Sequence, residues 1–418
     1  MITDDFERWR AEFPILSSTV YMISNSLGAM PRGAAESLAE YARTWATRGV
    51  RAWEERWWEM AREVGDKIGA IIGAPAGSVS MHENVTTAAM VALGCVQAEA
   101  DRRFQAAARR RRGSMPRLHK KSRNRIVCLA ADFPSTIYLY RAQEAFGFEV
   151  TVVAADADFA VPLNRLLAAI DERTAFVSFS HVLFKTSYIM DAAAVASRAH
   201  ACGALVLLDG YQSAGIIPVD VTALGVDFFV GGCLKWLCGG PGTAFLYTRP
   251  ALLRTAQPRF TGWFSHRNPF AFDTGAIDPR DDAMRMMNGT PSIPAYYAAL
   301  PGLEIIAEVG VERIRAKSRQ MTARIFELAD RYGFPSIAAR DPEKLAGTVA
   351  VNPPDALHVS RALKARDFVV DFRPGVGIRI SPHFYNTMDE IDRLMAEMAR
   401  IVEHKDYAID APVRSLVT

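Results

Sequence analysis

The middle of the chain, from about residue 76 to 250, alternates short apolar runs with segments of helical spacing. The runs have the length of buried strands and cover 125–130, 150–154, 175–179, 204–208 and 227–230. The helical segments between them cover 137–146, 163–171 and 192–200. Strands that alternate with helices predict right-handed crossovers and an α/β fold with a mostly parallel, doubly wound sheet. Ligands of such sheets bind beyond the carboxyl ends of the strands.

The two ends of the chain show a different pattern of apolar residues. Apolar residues at three-to-four spacing predict helices over 31–45, 53–72 and 388–404, and one long helix over 294–332. Short strands are predicted at 347–351, 368–371 and 378–381. We therefore expect residues 61–285 to form a large α/β domain. Residues 1–60, together with a linking helix and C-terminal part at 286–418, are expected to supply a smaller α+β domain.

Composition narrows the class of protein. Half of the residues are hydrophobic, yet no stretch approaches the eighteen or so apolar residues of a membrane helix. The chain begins without the basic and apolar regions of a secretory signal. Five scattered cysteines contain no CxxC pair, which argues against a disulfide framework or a metal site. These features predict a cytoplasmic protein without a metal, most simply an enzyme.

The net charge of +3 hides an uneven distribution. The segment 102–125 carries 11 Lys or Arg and no Asp or Glu, so the rest of the chain has 38 basic against 46 acidic residues. Such a run has the charge of a nucleic-acid patch, but Phe104 is its only aromatic residue, so a stacking platform is absent. We interpret 102–125 as a solvated basic insertion into an acidic body and do not expect a nucleic-acid partner.

Lys235 is the first residue that suggests chemistry. It follows an apolar strand and a turn of small residues, lies between Leu234 and Trp236, and precedes a loop rich in Gly and Pro. Poor solvation lowers the pKa of an amine, and such a lysine forms Schiff bases with carbonyls, including that of pyridoxal 5'-phosphate (PLP). Taken alone, Lys235 also fits a surface lysine in an irregular loop.

Asp209 makes the Schiff-base interpretation more specific. It directly follows the run 204–208, at the carboxyl end of a predicted parallel strand, and Lys235 comes one strand later. A carboxylate in an apolar setting needs a cationic partner, and the protonated pyridine nitrogen of PLP is such a partner. The alternative is an aspartate that only begins the turn at Gly210.

Nine short motifs occur in order along nearly the whole chain. They are Asn25-Ser-Leu-Gly, Gly49-Val-Arg-Ala-Trp, Asn84-Val-Thr-Thr, Asp132-Phe-Pro-Ser, Asp209-Gly-Tyr-Gln-Ser-Ala-Gly, Leu234-Lys235 with Gly239-Gly-Pro-Gly, Gly262-Trp-Phe-Ser-His, Asn288-Gly-Thr-Pro and Gly377-Ile-Arg-Ile-Ser-Pro. With this series the chain resembles the PLP-dependent enzymes of fold type I, in the class V aminotransferase group, and within it the kynureninases. The resemblance implies a PLP transferase-like fold and a homodimer with its active site at the interface.

The resemblance also implies roles for individual residues. Lys235 would hold PLP as a Schiff base and move protons, Asp209 would pair with the pyridine nitrogen, and Phe133 would stack on the ring. Thr86 or Thr87 would bind the phosphate at a helix N-terminus, a position suited to an anion.

Further implied contacts involve the substrate and the partner subunit. Arg379 would bind the substrate α-carboxylate, for which a planar guanidinium is suited, and Asn25 and Ser26 would also bind the substrate. Gln212 would lie at the cofactor. Trp263 and Thr290 would reach the neighbouring site across the dimer interface.

The chain departs from the kynureninase pattern at three places. Leu234 stands where the family has a tyrosine, Gln212 stands where it has a histidine, and residues 47–53 lack a histidine found in some relatives. The implied reaction is hydrolytic Cβ–Cγ cleavage of kynurenine or a related free amino acid. An aminotransferase or β-lyase is the alternative within the cofactor class, and a non-catalytic or nucleic-acid-binding protein on this scaffold is the alternative outside it. Desulfuration is disfavoured, because Phe133 takes the stacking position and no cysteine lies in a late loop.

Overall fold

The computed structural model describes residues 6–96 and 123–408. Most of the basic segment 102–125 lies outside the described residues, and only its last three residues belong to them. The interpretation of that segment as a solvated insertion therefore stays a prediction.

A seven-stranded sheet forms the centre of the molecule, in the order β2-β8-β7-β6-β5-β3-β4. The strands are β2 (Val79–His82), β3 (Arg125–Leu129), β4 (Glu149–Val153), β5 (Thr174–Ser180), β6 (Leu205–Asp209), β7 (Phe228–Gly232) and β8 (Ala244–Thr248). The five strands from β4 to β7 are parallel, and β8 and β2 add antiparallel pairs at one edge. The predicted parallel strands are thus confirmed, whereas the antiparallel pair was not predicted.

Alternate residues of the strands face two apolar layers, as the pleat requires. Val127, Val206 and Phe229 belong to one core cluster, and their neighbours Ile126 and Phe228 belong to the other. The helices of the large sheet are α4 (85–96), α5 (Pro134–Ala142), α6 (Leu163–Ala169), α7 (Ala192–Ala201) and α8 (Pro250–Leu253). Burial on both faces explains why the strands read as continuous apolar runs.

The N-terminal part begins with α1 (Glu7–Arg10) and the two-residue strand β1 (Val20–Tyr21), followed by α2 (Arg32–Arg48). A five-residue π-helical stretch, Trp53–Trp57, then leads into α3 (Trp58–Ile71). Helices α2 and α3 pack on α9 (Ile293–Val309).

The predicted long helix over 294–332 is wrong in one respect. It is two helices, α9 and α10 (Val311–Tyr332), which meet at Gly310. Gly310 has a φ of 84°, a left-handed conformation that glycine adopts without the steric cost other residues bear. The helical period continues on both sides of Gly310, which is why the pattern alone did not show the break.

A smaller unit forms around a second sheet near the C-terminus. Its elements are β9 (Val349–Val351), α11 (Ala356–Lys364), β10 (Phe368–Val369), β11 (Asp371–Arg373), β12 (Gly377–Ile380) and α12 (Met388–His404). Strands β11, β12 and β9 are antiparallel, and β1 pairs with β10. Val20 and Met22 share a core cluster with this unit, so the N-terminal segment contributes to it. The boundaries near residues 60 and 285 stay predictions.

Helix α12 begins and ends where its pattern predicted. The Thr387 side chain accepts a hydrogen bond from the Glu390 backbone N–H, and the Glu390 side chain accepts from the Thr387 N–H, which forms a capping box. Within 6–96 and 123–408, no helix has the length and apolar content needed to cross a membrane.

Candidate active site

Polar side chains collect at the carboxyl ends of the parallel strands. Asp132 follows β3, His181 follows β5, Asp209 ends β6, and Lys235 follows β7. Because β5, β6 and β7 are neighbours in register, their ends meet at one edge of the sheet. The predicted placement of Asp209 and Lys235 on adjacent strands agrees with this topology.

Lys235 lies in an electrostatic environment that favours the neutral amine. Burial lowers its pKa from 10.5 to about 7, while the nearby Asp209 raises it and Arg379 lowers it further. Its Nζ lies 4.2 Å from the ring centroid of Tyr211. A neutral amine is the nucleophilic form that attacks a carbonyl.

Asp209 is 9% exposed, and burial raises the pKa of its carboxyl group, against the opposing effect of Lys235. One carboxylate oxygen accepts a hydrogen bond from the Tyr211 N–H at 2.9 Å. The adjacent His181 is buried, and burial lowers its pKa to about 4. A buried carboxylate of this kind requires a cation for full stabilisation.

Asp132 is a second buried carboxylate at this edge. Its oxygens accept hydrogen bonds at 2.8 Å from the Leu129 N–H, the Ser180 N–H and the Ser180 hydroxyl. Burial raises its pKa to about 7, and the nearby Asp209 adds to the shift. These bonds tie the ends of β3 and β5 together and fix the start of the loop that carries Phe133.

The side-chain amide of Gln212 forms hydrogen bonds with two groups of the protein. Its Nε2 donates to the Asn25 carbonyl oxygen at 2.9 Å, and its Oε1 accepts from the Trp236 indole N–H at 3.0 Å. The side chain therefore bridges the N-terminal segment and the residue after Lys235. The predicted cofactor contact of Gln212 stays a prediction beside this bridging role.

Asn25 is a buried polar side chain with unused bonding capacity at the site. It is 2% exposed, and neither atom of its side-chain amide has a hydrogen-bond partner among the described residues. An amide left in this state costs free energy unless a ligand satisfies it. Ser26 follows it at intermediate burial, with its N–H donating to the Ile23 carbonyl at 2.9 Å.

Gly28 brings this N-terminal segment into close contact with the lysine loop. Its N–H donates to the Leu234 carbonyl at 2.9 Å. A Cβ at Gly28 would lie 2.1 Å from the Lys235 carbonyl oxygen, a distance that real side chains do not reach. Glycine is therefore required for this approach.

The predicted phosphate-binding threonines lie in the first turn of α4. Asn84 caps the helix: its Oδ1 accepts from the Thr87 N–H at 2.9 Å and from the Thr87 hydroxyl at 3.2 Å. Thr86 and Thr87 are half-buried. The first turn of a helix presents N–H groups to an anion.

Phe133 and Arg379 are linked through Phe184. Phe133 is 49% exposed, and its ring makes an edge contact with Phe184, with 5.4 Å between centroids. The Phe184 carbonyl accepts a hydrogen bond from Arg379 Nη1 at 2.6 Å. Arg379 is only 2% exposed and also forms an ion pair with Asp371.

Trp263 and Thr290 lie on the surface of the chain. Trp263 is 40% exposed and contacts Trp58 and Phe270, and Thr290 is exposed in the loop before α9. Their predicted contact with a neighbouring site stays a prediction.

Sequence reasoning missed several residues of the site. The sequence could have predicted the pairing of Asp371 with Arg379, because the two residues have opposite charge and flank a Pro-Gly turn at hairpin spacing. Tyr211 and His383 had no comparable signal. The buried His383 lies against Trp236, with its Nε2 2.8 Å from the Trp236 carbonyl oxygen, a contact across 147 residues.

The site fits PLP on its own chemistry. It offers a lysine with a lowered pKa, a buried carboxylate without a full cationic partner, the N-terminus of a helix, and the unsatisfied Asn25 amide. Among the residues that the structure describes, no group of His, Cys, Asp or Glu is arranged to hold a metal ion. Fold and site together define a PLP-dependent enzyme of fold type I.

Comparison with known proteins places the chain in one family. The family model described as Aminotransferase class-V matches residues 112–394, and the chain belongs to that family. The predicted cofactor, PLP, and the predicted fold class are thereby confirmed.

Similar proteins include differently named members. Kynureninase of Pseudomonas fluorescens is 27% identical over 416 residues, which cover 97% of this chain and 94% of that protein. The uncharacterized aminotransferase YcbU of Bacillus subtilis is 28% identical over 399 residues, 96% and 99% of the two chains. Kynureninase of Burkholderia pseudomallei is 29% identical over 374 residues, 87% and 84% of the two chains.

Solved structures share the fold over nearly the whole chain. The apo cysteine desulfurase of Thermococcus onnurineus NA1 has a TM-score of 0.79 at 21% identity and covers 95% of this chain and 98% of its own. A mutant of C-DES with glycine covalently linked to PLP has a TM-score of 0.79 at 19% identity, with 96% and 99% covered. At these identities the likeness concerns the fold.

Proposed function

We propose that this enzyme acts on a free α-amino acid whose carboxylate binds Arg379 and whose amino group meets the cofactor beside Lys235. The observation that carries the proposal is the placement of Asp209 and Lys235 at the ends of the neighbouring strands β6 and β7, with Arg379 near enough to lower the pKa of Lys235. The lowered pKa of Lys235 gives a neutral amine near pH 7, suited to removing and returning a proton at its Nζ.

The other residues of the site have supporting roles in this proposal. Asp209 would pair with the protonated pyridine nitrogen of PLP, and Phe133 would stack on one face of its ring. Thr86, Thr87 and the first turn of α4 would hold its phosphate. PLP, when bound, supplies an electron sink for the pair left at Cα when a bond to that carbon breaks.

The reaction that we propose is kynureninase-type hydrolysis of the Cβ–Cγ bond of kynurenine or a related substrate. The support comes from relatives named kynureninase at 27–29% identity over most of the chain. In this reaction the water oxygen ends on Cγ and a proton ends on Cβ, so kynurenine yields anthranilate and alanine. Asn25 offers an unused amide donor and acceptor for the polar groups of substrate or cofactor.

A transamination or β-elimination is the second candidate, and Leu234 favours it. The residue before Lys235 is apolar, and the Gln212 amide is engaged with Asn25 and Trp236, so neither position supplies an acid for hydrolysis. A proton shift by Lys235 alone suffices for transamination. The relative named as an uncharacterized aminotransferase also fits this candidate.

One assay separates the two candidates. Purified holoenzyme is incubated with L-kynurenine, and release of anthranilate and alanine is measured with and without an added keto acid. Hydrolysis predicts equal release of both products without a keto acid. Turnover that requires the keto acid and yields no anthranilate would reject hydrolysis in favour of transamination.

We also propose a homodimer in which Trp263 and Thr290 reach the neighbouring site. Trp263 adjoins the exposed aromatic residues Phe270 and Phe272, which are 60% and 73% exposed, and an apolar surface of this kind is typical of an interface. Light scattering should give twice the subunit mass of 46.0 kDa. A monomer with full activity would contradict it. The cytoplasmic location stays a prediction.

A further inference from the structure

Three charged residues form a cluster on the hairpin of β11 and β12. Asp371 and Arg379 are direct cross-strand partners, and Arg373 lies at the end of β11. Arg379 Nε donates to Asp371 Oδ1 at 2.7 Å, and Arg379 Nη2 donates to Asp371 Oδ2. Arg373 Nη2 lies 3.0 Å from Asp371 Oδ2. The carboxylate of Asp371 is fully buried.

The donors of Arg379 can be accounted for individually. A guanidinium has five N–H groups, one on Nε and two on each terminal nitrogen. Asp371 takes the Nε–H and one Nη2–H, and the Phe184 carbonyl takes one Nη1–H at 2.6 Å. One N–H therefore remains on each terminal nitrogen and is available to a ligand. A guanidinium that offers one N–H from each terminal nitrogen can bind a carboxylate bidentately.

The charge of the cluster matches one carboxylate. Two arginines and one aspartate leave one positive charge, and Arg379 itself is only 2% exposed. Arg379, Asp371 and Arg373 all influence the pKa of Lys235, so the cluster lies close to the reacting amine. A buried cation facing the site is stabilised when an anion pairs with it.

We propose that Asp371 is a positioning residue, which holds Arg379 so that its two remaining N–H groups face the α-carboxylate of the substrate. The inference rests on the proposed function, because it takes the amino acid as the ligand of Arg379. Asp371 itself does not contact the substrate. Its role is to fix the plane of the guanidinium, and Phe184 assists through its carbonyl.

The test measures selectivity for a carboxylate. Binding of L-alanine and of L-alaninamide to the holoenzyme is followed by the change in cofactor absorbance. The wild type is expected to prefer the acid. In Asp371→Asn the preference should fall by about 10-fold or more, because Arg379 loses the partner that fixes the plane of its guanidinium, while affinity for the amide stays within about 3-fold. A defect in folding alone would weaken both ligands equally.

A matched control and a second variant complete the experiment. Asp330→Asn breaks a bidentate pair with Arg340 on the surface of α10, with both bonds at 2.7 Å, and should leave the preference unchanged. Asp371→Glu keeps the charge but displaces the carboxylate, and should lose at least about 3-fold of the preference.

The outcomes separate this inference from the proposed function. The positioning role would be overturned if Asp371→Asn and Asp371→Glu, or whichever of them loads PLP, kept the wild-type preference for the acid over the amide. The proposed function would then stay intact. A wild type that responds to no amino acid would overturn the proposed function, and this inference with it.

Discussion

Replacement of Gln212 by alanine tests whether this residue acts through the protein or through the cofactor. The substitution removes the bond to the Asn25 carbonyl at 2.9 Å and the bond from the Trp236 indole at 3.0 Å. Asn25 is 2% and Trp236 is 1% exposed, so water does not readily replace the lost partners. The variant thus leaves a buried acceptor and a buried donor unsatisfied.

The expected magnitude follows from these two groups. Each unsatisfied buried group costs about 1–3 kcal/mol, so we expect the free energy of unfolding to fall by about 2–6 kcal/mol. Because both partners belong to the protein, the loss should occur in the apoenzyme as well as in the holoenzyme. A residue that acts only as a cofactor ligand would affect the holoenzyme alone.

Urea denaturation of both forms, followed by tryptophan fluorescence, measures the effect. Gln320→Ala, an exposed glutamine on α10, serves as the control and should change stability by less than about 0.5 kcal/mol. Equal stability of wild-type and Gln212→Ala apoenzyme would refute the bridging role. Loss confined to the holoenzyme would instead support the cofactor contact that the sequence suggests.

Three further predictions concern the lysine loop and its supports. Because burial lowers the pKa of Lys235 to about 7, the apoenzyme should capture PLP at its full rate above that pH and more slowly below it. Stopped-flow absorbance measures this rate, and a pH profile of the rate with its midpoint near 10 would contradict the prediction. Burial lowers the pKa of His383 from 6.5 to about 4, so the neutral ring favours folding above pH 6.5 and this contribution is lost as the pH falls toward 4. Urea midpoints of His383→Gln should accordingly vary less with pH over that window, and an unchanged pH profile would reject the assignment. Gly28→Ala should displace the Lys235 loop and weaken PLP binding by about 10-fold or more. Gly69→Ala is the control and should leave PLP binding unchanged, because its Cβ would meet its first neighbour at 3.5 Å. Equal PLP affinity of the two variants in equilibrium titrations would count against the close approach of Gly28 to the loop.

The parts of the fold that the sequence predicts well are those with strong local patterns. The five parallel strands appear as apolar runs because both faces of the sheet are buried. Helix α12 shows its amphipathic period and its capping box directly. Strands β2 and β8 were not predicted, because β8 follows β7 through a loop without a helix and β2 has only four residues, so neither stood out in the alternation of strands and helices.

The parts of the site that were missed depend on contacts between distant segments. His383 and Trp236 meet across 147 residues, and Gly28 touches the Lys235 loop across more than 200. Periodicity carries no information about such pairs. Asp371 is different, because its partner Arg379 lies across a short hairpin, and a search for opposite charges flanking the turn would have found it.

The covalent bond that PLP forms with the protein can be located on a single lysine. The holoenzyme is reduced with borohydride, digested, and analysed by mass spectrometry. We predict a phosphopyridoxyl group on the peptide that contains Lys235, and none on that peptide in Lys235→Ala. A reduced adduct on a different lysine, or cofactor-supplemented protein without any adduct, would contradict it.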